Sequence, residues 1–236
     1  MKGKKIKNFK TKLVSVFSTA VMCASCISTI SASATNETID IDSTSVDSML
    51  DVLDTSVELD TNADIIVFDE EKIDDLCSNF DLDALNASYA KIGVEAITAE
   101  EFSQLMIDGI NSVNDELQEG NFEILDGGTI VDTDDDTYYL QGGSTYDETH
   151  WWGRRRYMST SAANTWAYDM NKAAAVNAGA AIIAGAAFGG VGAIPNGLTS
   201  AYAWYLANDI TYYNSLSNRG IVTDITWVLV YSMDTQ

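Results

Sequence analysis

His150 is the only histidine of the chain, and it stands directly before Trp151-Trp152. An imidazole beside two indoles can form one wall of a ligand groove, or it can be one ring of a packed aromatic cluster at the start of a strand. Cys77, beside Leu76, is the other reactive side chain; Cys23 and Cys26 fall inside the leader described below. Alone in the exported chain, Cys77 reads as a small buried hydrophobe. One His and one Cys cannot assemble a zinc cluster. Neither Gly-x-Ser-x-Gly nor a phosphate-cradling glycine loop is present. Paired carboxylates can do acid–base work, but 31 acids between Thr35 and Glu148 make every pair uninformative. The expectation is a non-enzymatic protein with no cofactor and no metal.

Asp132, Asp134, Asp135 and Asp136 invite a calcium reading, because hard oxygen ligands at alternate positions suit that ion. A loop of the EF-hand type starting at Asp132 needs Gly at its sixth place and Glu at its twelfth. The chain has Thr137 and Gly143 there, so the four read as a solvated acidic loop.

The chain has a formal net charge of −22, and the sign is unevenly spread. Between Thr35 and Glu148 the 31 acids face only Lys72 and Lys91, whereas Thr149–Gln236 has four acids against Arg154, Arg155, Arg156, Lys172 and Arg219. Such asymmetry points to two regions with different jobs and makes nucleic acid an implausible partner.

The elements that must position these groups begin after an export signal. Lys2, Lys4, Lys5, Lys7, Lys10 and Lys12 precede the uncharged, mainly apolar run Leu13–Ile30, and Ala32-Ser33-Ala34 supplies the small residues a signal peptidase reads. Cleavage is expected after Ala34, giving a secreted protein.

In the acidic, mainly helical region, residues 35–136, Val46, Met49, Leu50 and Leu53 line one face of a weak helix. Asp64–Phe68 reads as a short strand, and Glu70–Asn79 and Leu82–Lys91 as short helices. Thr98 and Glu101 form a capping box ahead of Phe102, Leu105, Met106, Ile110, Val113 and Leu117, and Gly120 closes that helix. Phe122–Leu125 and Thr129–Val131 read as a hairpin turned at Asp126-Gly127-Gly128.

Residues 137–236 read as an α+β domain. Thr137–Gln141 and Trp151–Met158 are strand-like, with a break at Gly142-Gly143-Ser144 between them. Thr160 or Ser161 caps a helix carrying Ala162, Trp166, Met170, Ala173 and Val176 along one stripe. From Ala173 to Asn208 no residue is charged. Ala173–Ile194 and Leu198–Asn208, joined at Pro195-Asn196-Gly197, read as a Gly/Ala-rich helical hairpin. Gly179 adds to the small-residue content of the first arm, and Gly189 and Gly190 fray its end. Ala181, Gly185 and Gly189, spaced by four, form a row that lets helix backbones approach closely. On the return arm Leu198, Ala201, Tyr205, Tyr212 and Leu216 are expected broadly on one side. Ile221–Met233 reads as one long central strand, giving an antiparallel sheet with the hairpin packed on it.

Arm one has 22 residues, about 33 Å as a helix, enough for a bilayer core of about 30 Å. Arm two has 11 before Asp209, too few to span. The hairpin is therefore either core packed against the sheet or a conditionally inserting element.

The run from Trp151-Trp152-Gly153 through Ala186-Ala187-Phe188-Gly189-Gly190-Val191-Gly192 to Asn218-Arg219-Gly220-Ile221-Val222 resembles bacteriocin-like proteins exported by Gram-positive bacteria. The likeness covers about residues 144–236. It implies an antimicrobial, membrane-active C-terminal domain, kept soluble by an acidic half that is a removable pro-region. The implied partners are a target-cell membrane or an immunity protein. Trp151, Trp152, Arg154, Arg155 and Arg156 would then form the interface, the arginines orienting on anionic lipid; the alternative is edge-strand charges that oppose sheet-to-sheet pairing. Many such peptides are cationic, which residues 144–236 are not. The contrasting expectation is an extracellular α+β binding or interaction module with the hairpin as ordinary core.

Overall fold

Four helices of this chain start where a side-chain oxygen, from Asp69, Thr98, Ser159 or Thr199, accepts a free backbone amide. The computed structural model describes residues 43–92, 94–125, 129–133, 138–140, 143–188 and 199–236. The expected cleavage at Ala34, the turn at 126–128, residues 134–137, the hairpin turn with Gly189, Gly190 and Pro195, and Leu198 of the return arm lie outside them. The helices are α1 (Ser43–Leu53), α2 (Glu70–Ser78), α3 (Asp83–Lys91), α4 (Ala99–Glu119), α5 (Thr160–Ala175), α6 (Ala180–Phe188) and α7 (Ser200–Leu216). The strands are β1 (Val57–Asp60), β2 (Ile65–Phe68), β3 (Phe122–Ile124), β4 (Ile130–Asp132), β5 (Tyr138–Leu140), β6 (Gly143–His150), β7 (Gly153–Met158), β8 (Ile221–Thr226) and β9 (Tyr231–Thr235). The architecture is α+β.

The capping box of α4 forms as expected: the Glu101 amide donates to Thr98 Oγ1 at 3.1 Å, and the Thr98 amide donates to Glu101 Oε2 at 2.9 Å. Its far end closes in a Schellman motif. Gly120 takes φ 75°, the Asn121 amide reaches Glu116 O at 3.0 Å, and the Gly120 amide reaches Leu117 O at 3.1 Å. α1 buries Val46, Met49 and Leu53. β1 was not legible in the sequence; it pairs antiparallel with β2 from Val57↔Phe68 to Asp60↔Ile65. Asn114 of α4 completes that small sheet. Its Oδ1 accepts from the Ile66 amide at 2.8 Å and its Nδ2 donates to Ile66 O at 2.9 Å, so one side-chain amide stands where a third strand would.

The main sheet runs β3-β4-β6-β7-β8-β9, with β5 also paired to β6, and every pairing is antiparallel. It takes strands from both sides of the region boundary expected at 136–137, since Ile130 of β4 pairs with Thr149 of β6.

Three expectations about elements change. Gly143 and Ser144, read as part of a break, instead begin β6. A Cβ on Gly143 would run into the Arg219 carbonyl, and its φ of 101° favours glycine. Ile221–Met233 is not one strand but the hairpin β8–β9. Leu229 takes φ 68°, Leu229 N donates to Thr226 O at 2.9 Å, and Thr226 N donates to Val230 O at 2.8 Å. The turn lacks Gly, Asn or Pro, and burial drives it: Trp227, Val228, Leu229 and Val230 are all at most 2% exposed. Trp227 lies on Gly109 of α4, where a Cβ would fall inside the indole, and Tyr89 OH of α3 donates to Val228 O.

The third change concerns the hairpin. Its first arm is two helices. α5 ends in a Schellman motif with Asn177 as the left-handed residue (φ 47°), the Ala178 amide bonding Ala173 O at 3.0 Å and the Asn177 amide bonding Ala174 O at 3.2 Å. Ser159, one residue earlier than expected, caps the start of α5. α7 buries Tyr202, Ala203, Leu206, Ala207 and Ile210, leaving Tyr212 and Leu216 exposed. The buried side of α7 therefore runs through Tyr202, Leu206 and Ile210, off the row read from the sequence.

Candidate functional site

Strand register decides where the chemistry-bearing residues of β6 and β7 point. Alternate residues face opposite sides, so the pairings Asp147↔Arg156↔Thr223 and Thr149↔Arg154↔Ile225 share one face, and Glu148↔Arg155↔Asp224 shares the other.

On the first face, under α5–α7, Asp147 holds two arginines. Its carboxylate lies 3.2 Å from Arg154 Nη2 and 3.1 Å from Arg156 Nε. Both guanidiniums then reach the C-terminal end of α6. Arg156 Nη1 donates to Ala186 O at 3.0 Å and Ala187 O at 2.9 Å, and Arg154 Nη1 donates to Phe188 O. Trp166 Nε1 of α5 adds a bond to Ala186 O at 2.8 Å, and the Arg156 guanidinium sits 4.8 Å from the Trp166 ring centroid. The last carbonyls of a helix lack partners within it and carry its negative end. Two cations and an indole supply those partners. The same helix buries Ile183, Ala184, Ala187 and Phe188, and Phe188 meets Trp227 with ring centroids 5.6 Å apart.

That arrangement corrects the packing row. Gly179, Ala181 and Gly185 are exposed, and among the described residues a Cβ on Gly179 or Gly185 would meet nothing within 4 Å. The buried side of α6 carries Ile183, Ala184, Ala187 and Phe188, so among the described residues no helix backbone makes the close approach expected at Gly185. Asp209, mid-way along α7, accepts from Tyr231 OH at 2.6 Å; burial raises its pKa, and that bond partly offsets the rise.

The second face is half-exposed. Arg155 grips Asp224 in a bidentate pair, Nε–Oδ1 2.7 Å and Nη2–Oδ2 2.8 Å, which raises the arginine pKa. Glu148 lies opposite Arg155 in the register, and burial lifts its pKa despite that cation. Asp47 of α1 is near enough that Asp224 adds to the upward shift which burial gives it. Two aromatic pairs flank the charges. Tyr146 stacks on Tyr157 at 4.3 Å, and His150 stacks on Trp152 at 4.8 Å with ring planes 3° apart. Burial, then the Arg155 charge, lowers the His150 pKa to about 4, so the ring is neutral at pH 7. Its Nε2 lies 3.8 Å from Glu148 Oε2, beyond hydrogen-bond reach.

The expected interface residues are therefore split. Trp151 is buried, its carbonyl accepting from Trp227 Nε1 at 2.7 Å, and Arg154 is buried beneath α6. Arg156 points the same way as Arg154. Trp152 and Arg155 are on the opposite, half-exposed face. Glu148, Asp224, Tyr146 and Tyr157 were missed as site residues, because only the strand register brings them together. Cys77 is buried, and that burial pushes its thiol up to about 11. Among the described residues no group of three His, Cys, Asp or Glu side chains is placed to hold a metal ion, and no helix is long and apolar enough to cross a membrane. No protein-family model matches the sequence, and no curated protein or solved structure shows significant similarity to it.

Proposed function

We propose that this chain is an exported, non-enzymatic binding module in which the Gly/Ala-rich hairpin is core and the β6–β7–β8 surface takes a positively charged ligand. The observation that carries this reading is the row Glu148–Arg155–Asp224, flanked by the two stacked aromatic pairs on the half-exposed face. Glu148, Asp224 and Asp47 outnumber the one cation there. Aromatic faces and carboxylates together suit an ammonium or guanidinium group. The net charge of −22 steers such a ligand inward. The packing of α6 and α7 supports a structural role for the hairpin. Retention of the acidic half fits too, since removing residues 35–136 would strip Gly109 and Tyr89 from the Trp227–Val230 turn.

Calorimetric titration of the full chain with a Lys-rich hexapeptide tests the ligand class. Binding is expected to weaken with added salt. It should fall markedly in Glu148→Gln but little in Glu71→Gln, which removes the same charge from the exposed side of α2. Equal losses in the two variants would reduce the effect to bulk charge and overturn the site. Membrane activity, the reading that the resemblance implies, predicts dye release from anionic liposomes. The binding-module reading predicts none.

A further inference from the structure

The outer surface of α5–α7 is unlike the rest of the molecule. Of the nine large hydrophobic side chains that stand exposed among the described residues, six belong to this layer: Tyr168, Val176, Ile182, Trp204, Tyr212 and Leu216. α6 and α7 carry one charge between them, Asp209, which is engaged by Tyr231. Exposed apolar surface gathered on one side marks an interaction site, and three aromatic rings among six positions match interface composition.

Charge selects the occupant. In a chain of net charge −22, most surfaces repel a second copy of themselves, and this neutral layer does not. It also carries a self-complementary pair. Asp169 and Lys172 are exposed one turn apart on α5, and neither makes an ion pair with any described residue. In a two-fold contact a residue i meets j of the other copy while j meets i. Two α5 helices laid antiparallel therefore set Asp169 of each copy against Lys172 of the other. We infer that this layer is the dimer interface of the protein, an isologous contact of α5 and α7 with a second copy.

Sedimentation velocity of the full chain over a concentration series tests this. A reversible monomer–dimer equilibrium is expected, with the dissociation constant raised about tenfold or more in Trp204→Glu. Asp169→Lys and Lys172→Asp should each weaken the dimer, and the double swap should restore it to within about threefold of the parent. Because these positions are exposed, circular dichroism should show every variant folded. Three outcomes would overturn the inference: a chain that stays monomeric up to roughly 100 micromolar, association indifferent to Trp204→Glu, or a double swap that fails to restore it. Flotation of a monomeric chain with phosphatidylcholine vesicles, abolished by Trp204→Glu, would also overturn it and assign the layer to lipid.

Discussion

Arg156 Nη1 lies 3.0 Å from the Ala186 oxygen and 2.9 Å from the Ala187 oxygen, so a strand side chain closes the end of helix α6. The sequence Ala186-Ala187-Phe188-Gly189 offers no basic residue of its own for that end. The cation arrives from β7, and Asp147 fixes its direction.

Removal of this clamp is expected to destabilise the fold measurably. Arg156→Ala should cost about 1.5–3 kcal/mol, the range for hydrogen bonds to charged groups. Arg156→Lys should cost less, since an ammonium can serve one carbonyl but loses the planar contact with Trp166. Urea denaturation of the two variants checks the order; equal stabilities for parent and Arg156→Ala would remove the clamp from the account.

Two glycines should respond oppositely to alanine. Gly109→Ala puts a methyl into the Trp227 indole and should destabilise by about 1–3 kcal/mol. Gly185→Ala meets open space in a helix and should be neutral or stabilising by up to about 1 kcal/mol. Gly185→Leu should likewise be tolerated. Melting temperatures decide, and a large loss at Gly185 would contradict the exposed placement of that face.

Asn114→Ala leaves the buried Ile66 amide and carbonyl without their partners and should cost about 1–3 kcal/mol. Hydrogen exchange should then speed up at Ile66 before it does in β7 or β8.

Acidification should weaken the protein through His150. Its folded pKa of about 4 lies below the ordinary 6.5, so between these values the unfolded chain binds more protons than the folded one. Stability from this group is present above pH 6.5 and is lost as the pH falls toward 4, by up to about 3 kcal/mol for a shift of this size. The raised carboxyls Glu148, Asp47 and Asp209 act in the other direction, so the variant comparison isolates the histidine. His150→Phe keeps a ring on Trp152 and should flatten the slope of unfolding free energy over that interval. An unchanged slope would place the imidazole in water.

Local signals carried much of the fold. Thr98, Glu101 and Gly120 mark both ends of α4 because capping is decided within a few residues, and the spacing of Val46, Met49 and Leu53 marks α1. The hairpin β8–β9 was illegible because its turn is made of Trp227-Val228-Leu229-Val230, apolar residues that bend only to reach a core built by α3, α4 and α6. The end of α5 was hidden by Asn177, whose left-handed geometry is optional until the chain must turn. The candidate site was hidden for a related reason. Glu148, Arg155 and Asp224 are neighbours only through the register of three strands, and one residue of slip would put Asp147 and Arg156 in their place.

The measurement closest to the central claim is hydrogen exchange of the α6 and α7 amides, with and without anionic vesicles. If the hairpin is core held by Arg154, Arg156 and Trp166, the amides of Ala184, Ala187, Leu206 and Ile210 should be among the slow exchangers, and vesicles should not change them. Immediate exchange across α6, or loss of its protection when vesicles are added, would contradict a structural hairpin and return it to the membrane.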